Sequence, residues 1–186
     1  SEFIKQNLIK NNVNEEKIHL IPNITLIEDN NLKFPIKEKG IKISYLGTLD
    51  KIKGVELLIK SFNMLKNKAS LLIFGDGPEL NNLKKIANNN VSFYGNVDYK
   101  FIPSIYNQSD IIVLTSLWPE PLSRTLIEAC YFGKPIIATK VGGNPDIIEN
   151  NGFLVNIDEL SNKLDILIKN KTLRAIMSKN SKLIYK

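Results

Sequence analysis

From residue 41 onward, short runs of β-branched and large apolar residues alternate with longer stretches in which apolar residues recur every three or four positions. The first pattern belongs to strands buried on both faces and the second to amphipathic helices, so the chain reads as an α/β doubly wound parallel sheet of Rossmann-like type. Strands are expected over 41–46, 70–74, 91–94, 110–115, 135–139 and 152–155. Helices are expected over 55–66, 78–87, 102–107 and 123–132, with a short one over 145–149 and two more over 157–169 and 172–184. Ahead of this alternation Ser1 can cap a short helix with Phe3, Ile4, Leu8 and Ile9 on one face, and 17–22 reads as a strand. One helix and one strand make no domain.

The richest stretch runs from Ser116 to Asp146, and two glutamates with seven residues between them punctuate it, Glu120 and Glu128. Pro119 and Pro121 hold Glu120 out of a helix, in the loop at the carboxyl end of the fourth strand. Ser123 is suited to cap the helix that follows, which Gly133 and Pro135 stop, and Glu128 falls inside it. The crevice at the carboxyl ends of strands is where open parallel sheets bind ligands. Between the two carboxylates, free N–H groups at a helix N-terminus favour an anion such as a diphosphate. A nucleotide sugar fits this layout, with Glu120 accepting hydrogen bonds from sugar hydroxyls and Glu128 from the ribose. Taken alone, the two glutamates read more readily as a loop charge and a solvated helix residue.

Other loops add to the pattern. Gly47-Thr48-Leu-Asp-Lys51-Ile-Lys53-Gly54 follows the first strand, and Lys53, just ahead of a helix, can meet phosphate as a point charge. Gly75-Asp-Gly-Pro78 departs from the dinucleotide fingerprint, which argues against a nicotinamide enzyme; it reads as a turn with Pro78 opening a helix, or as a ligand contact. Gly142-Gly143-Asn144-Pro145 lets the chain approach the crevice closely, for contact or for packing.

These blocks, in order, resemble the retaining glycosyltransferases of family four. The matching residues are Tyr45-Leu-Gly-Thr-Leu-Asp-Lys-Ile-Lys-Gly54, Leu72-Ile-Phe-Gly-Asp-Gly-Pro-Glu79, the two glutamates after a strand ending in Ser, and Gly-Lys-Pro-Ile-Ile-Ala-Thr with Gly-Gly-Asn-Pro-Asp. The resemblance implies the C-terminal, donor-binding half of a GT-B fold over 40–186. Residues 1–39 would then be the end of a preceding N-terminal domain plus the linker. It implies hexose transfer from a nucleotide diphosphate sugar to a glycan or lipid-linked acceptor bound by that other domain, with no metal or other cofactor. The isolated chain would bind donor but transfer little.

Residue by residue, the resemblance implies Glu120 as the catalytic group positioning the sugar. Glu128 would hold the ribose, and Gly47, Thr48 and Lys53 the diphosphate together with the N–H groups of Leu122, Ser123, Arg124 and Thr125; the backbone of Val97 would meet the base. The family's loop arginine is replaced here by Thr48, and Lys51 or Arg124 is the candidate replacement for its charge. A sugar-nucleotide epimerase of the same fold, or a non-catalytic nucleotide-binding domain, are the alternatives; the first lacks a candidate general base.

Composition narrows the classes. The net charge is +6 and the pI about 9.2, but only Arg124 and Arg174 are arginines, and the lysines are scattered singly instead of forming a stripe with aromatics. That pattern argues against nucleic acid and leaves room for peripheral attraction to an anionic membrane surface. No apolar run reaches membrane-spanning length and no leader is visible, so cytoplasm, possibly at the inner membrane face, is the expected location. Cys130 reads as a packing residue and His19 as a structural or exposed strand residue. Four Asn-x-Ser/Thr triplets are assigned no role in so asparagine-rich a chain.

Overall fold

The computed structural model describes residues 1–21, 27, 30–66 and 69–185. Among them six strands form one parallel sheet: β1 (Ile41–Leu46), β2 (Ala69–Phe74), β3 (Val91–Gly95), β4 (Ile111–Leu114), β5 (Ile136–Thr139) and β6 (Gly152–Val155). Their order is β3-β2-β1-β4-β5-β6. The chain therefore leaves β1 towards one edge and returns to build the other, and the two halves diverge between β1 and β4. This is the topological switch point, where loops on neighbouring strands part and leave a crevice.

The helices are α1 (Glu2–Lys10), α2 (Val55–Asn63), α3 (Leu80–Ile86), α4 (Ile102–Gln108), α5 (Arg124–Tyr131), α6 (Leu160–Lys169) and α7 (Lys171–Ile184). Side chains alternate across the sheet. Ile43, Leu71, Ile73, Ile111 and Val113 point to the face covered by α2, α3 and α6, where they meet Leu58, Ile59, Leu83 and Leu164. Leu72, Phe74, Ile112, Leu114 and Ile136 point to the other face and pack on Ile105 and Tyr106 of α4 and Leu126 and Ala129 of α5. Each such side chain contributes about 1.5–3 kcal/mol by leaving water. The exposed ion pairs Lys60–Glu56 and Lys169–Asp165 add only about 0.3–0.5 kcal/mol each. Burial on the two sheet faces therefore dominates the fold.

Several boundaries differ from the sequence reading. Residues 17–22 were expected as a strand, but the described part shows a 3-10 turn over Glu15–Lys17, capped by Asn14, followed by backbone without a ladder. No described strand lies beside Ile18 to receive it, and an unpaired β segment has no hydrogen bonds of its own; Pro22 and most of the expected linker fall outside the described residues. The helix expected from Pro78 starts at Leu80: the Leu80 N–H closes a turn on the carbonyl of Gly77, and the Glu79 N–H holds that turn to the carbonyl of Leu49. The short helix expected over 145–149 is a 3-10 turn, Asn144–Asp146. Ser1 and Ser123 occupy N-cap positions, yet neither hydroxyl caps. At α1 the work is done instead by Asp146, which accepts the N–H of Glu2 at 2.7 Å.

Candidate active site

The crevice is built from four loops at the carboxyl ends of β1, β3, β4 and β5. After β1 the chain turns at Gly47, and Asp50 caps a 3-10 turn over Lys51–Lys53 by accepting the N–H of Ile52. Gly54, in the left-handed region at φ +65°, ends that turn; a Cβ there would lie 2.2 Å from the carbonyl oxygen of Thr115. Thr115 Oγ1 donates to the carbonyl of Lys53 at 3.0 Å, and Leu117 N–H donates to that of Ile52 at 2.7 Å. These bonds clamp the first loop onto the loop after β4 and deliver Lys53 to Glu120.

Lys53 Nζ and Glu120 Oε1 form an ion pair, and Ser116 Oγ donates to the same carboxylate oxygen at 3.1 Å. Both charged side chains are about one-fifth exposed, at 23% and 21%. The backbone of Glu120 is fixed from the third side. Gly143 N–H donates to its carbonyl at 2.8 Å, and a Cβ on Gly142 would fall 2.2 Å from that same oxygen. Glycine at 142 and 143 thus lets this turn pack directly against the backbone of the Glu120 loop. Gly75 and Gly77 do likewise for the first loop: a Cβ on either would meet the carbonyl of Gly47 or Leu49, at 1.9 and 2.5 Å.

Glu128 is buried, unlike a solvated helix residue. Tyr106 Oη donates to its Oε2 at 2.9 Å and Tyr99 Oη to its Oε1 at 3.2 Å. Burial pushes its carboxyl above the usual carboxylate range, against the opposing pull of the two phenols and of Arg124. With two tyrosine donors in place, its oxygens retain lone pairs for further donors. Tyr106 is wholly buried and also reaches the carbonyl of Thr125; Tyr99 is half exposed at the crevice mouth. The sequence reading named neither tyrosine. The apolar face of α4 marked Tyr106 as core, and nothing in the sequence ties it to a carboxylate 22 residues away.

The remaining expected residues fall around this pair of carboxylates. Among the described groups the N–H groups of Leu122, Ser123, Arg124 and Thr125 have no hydrogen-bond acceptor, and Thr125 Oγ1 reaches the carbonyl of Leu46 at 3.4 Å. Arg124 is exposed and acts electrostatically on Glu128 and Tyr99. Lys51 instead lies beside Glu56, away from the carboxylates. Thr48 is exposed and its carbonyl accepts the buried Tyr45 hydroxyl at 2.9 Å. Val97, beyond β3, packs partly on the core and has no backbone partner among the described groups, so its N–H and carbonyl are open to a ligand. Cys130 is buried with its thiol pushed up to about 11, as a packing residue would be. A cavity of about 610 Å³ lined by Leu20, Leu122, Ile127, Ile147 and Tyr185 touches neither Lys53, Glu120 nor Glu128. Among the described residues no group of three His, Cys, Asp or Glu could hold a metal, and no helix is long and apolar enough to cross a membrane.

This arrangement can offer a diphosphate the Lys53 ammonium and a set of free N–H groups, with a carboxylate on either side. Known proteins are similar to this chain over three quarters of its length or more. An uncharacterized glycosyltransferase of Methanocaldococcus jannaschii is 33% identical over 98% of this chain and 51% of its own length. Spore coat protein SA of Bacillus subtilis is 30% identical over 75% of this chain and 42% of its own. The chain thus spans about half the length of these relatives. Anabaena HepE, solved in complex with UDP-glucose, superposes with a TM-score of 0.72 at 27% identity, covering 78% of this chain and 44% of that one. The C-terminal domain of LpcC, a glycosyl transferase group 1 family protein of Francisella tularensis, gives a TM-score of 0.71 at 28% identity, covering 80% of this chain and 86% of that one. The family profile described as glycosyl transferases group 1 matches residues 27–183. The chain belongs to that family, and it is a glycosyltransferase domain of Rossmann-like fold.

Proposed function

We propose that this chain is the donor-binding half of a retaining hexosyltransferase, with 40–186 as the donor domain and 1–39 as the end of a preceding domain and its linker. The observation that carries the reading is the meeting, at the β1/β4 switch point, of Lys53, Glu120 and the free N–H groups of residues 122–125. In that reading the diphosphate lies over the N-terminus of α5 beside Lys53. Glu128 accepts the ribose hydroxyls, the open backbone of Val97 meets the base, and Glu120 receives sugar hydroxyls. UDP is the favoured carrier, supported by the UDP-glucose complex of the similar HepE.

As the C1–O bond to the diphosphate breaks, its electron pair moves onto the leaving oxygen. Lys53 and the backbone N–H groups stabilise that growing negative charge, without a metal ion in this reading. The acceptor hydroxyl, from a glycan or lipid-linked sugar held by the other half, forms the new bond on the same face of C1 and passes its proton to the departing phosphate oxygen. Calorimetric titration with UDP, GDP, ADP and their common sugar conjugates tests the reading. One nucleotide family should bind saturably, and Glu128→Ala should weaken it roughly tenfold, as loss of hydrogen bonds to a charged group does. Equal affinity in the variant would remove Glu128 from the site.

A further inference from the structure

Lys53, the one lysine of the 47–54 loop in contact with Glu120, is already occupied. Its partner is the carboxylate that the proposed function assigns to the sugar. Both backbones are held, Lys53 by Thr115 and Leu117 and Glu120 by Gly143, so the pair forms and parts by side-chain rotation alone. Thr48 on the same loop supplies no charge, Lys51 lies beside Glu56 and Arg124 acts on Glu128 and Tyr99, so a diphosphate arriving beside Glu120 draws on Lys53 and takes it from that carboxylate.

We propose that Glu120 is an internal competitor for Lys53, and that this makes the site prefer a nucleotide sugar to the bare nucleoside diphosphate. The inference rests on the donor-site reading above. A nucleotide sugar brings an anion for Lys53 and hydroxyl donors for Glu120, so both partners of the broken pair are replaced at once. A nucleoside diphosphate brings only the anion. It leaves Glu120 without a counter-charge, next to a second negative group, and like charges at that range repel. After transfer, Glu120 loses its sugar and recovers Lys53, which helps expel the diphosphate product. Ser116 keeps the carboxylate aimed at the lysine throughout, since its hydroxyl bonds the same oxygen.

The test is calorimetric binding of UDP, UDP-glucose and inorganic diphosphate to the full 186-residue chain and to Glu120→Gln. Glutamine preserves shape and an oxygen for Ser116 but removes the charge. The variant should bind UDP and inorganic diphosphate tighter by roughly threefold or more, about the strength of a partly exposed ion pair, while UDP-glucose binds no tighter. Lys53→Met should lose affinity for all three, and a melting temperature within a few degrees of the parent's confirms that the variants fold. If the parent binds UDP and Glu120→Gln binds it equally or more weakly, the competition is overturned and the donor site stands. If the parent binds no nucleotide, the donor-site reading itself is overturned, and this inference with it.

Discussion

At the scale of single residues, the chemistry of the site is set by how each carboxylate is held. Glu128 is kept buried by Tyr106 and Tyr99, and burial raises its carboxyl above the ordinary 4.5. The folded protein therefore retains a proton that the unfolded chain has released. The contribution of Glu128 to stability is full below 4.5 and is lost as pH rises from there through the raised value. Glu128→Gln should remove that slope and leave the chain at least as stable at pH 7, measured by urea unfolding across pH 4 to 8. Retention of the full slope in the variant would assign it to another group. Tyr106→Phe deletes the donor to a buried carboxylate oxygen and should cost about 1–3 kcal/mol in the same assay. The positions of Glu120, Glu128 and Lys53 on their loops and helix were legible from proline, glycine and capping signals. Their partners were not: Lys53 and Glu120 are 67 residues apart, and only the sheet order brings their loops together.

At the scale of elements, the crevice owes its shape to loops that pack backbone against backbone. Gly75 sits at φ +133° with the carbonyl of Gly47 where its Cβ would be, whereas Gly95, at φ +66°, has open space around it. Gly95→Ala should therefore cost only the left-handed strain, about 1–2 kcal/mol. Gly75→Ala must displace the first loop as well and should cost more than about 3 kcal/mol. Urea midpoints of the two variants check the difference, and equal losses would show that the loop contact yields easily. The βα alternation was readable because burial imposes its period on every strand. The strand expected over 17–22 and the early start of the helix at Pro78 were misread because they depend on a missing ladder partner and on a long-range bond to Leu49.

At the scale of the whole molecule, the doubly wound sheet gathers four loops at one edge, and everything assigned to the donor lies there. The cavity beside Ile127, Ile147 and Tyr185 is lined mainly by apolar residues, with Glu2 and Asp146 in its wall, and touches none of Lys53, Glu120 and Glu128. The chain spans about half of its similar full-length relatives, and we propose that it binds donor but transfers little sugar without the remaining half. The two regions are separated most directly by adding UDP-glucose to the ¹⁵N-labelled chain and following each amide resonance by NMR. The shifts should concentrate at Gly47 to Lys53, Val97 to Tyr99, Ser123 to Thr125 and Glu128, none of which lines the cavity. Shifts confined to the residues around the apolar cavity, or none at saturating nucleotide, would contradict a donor site at the β1/β4 crevice.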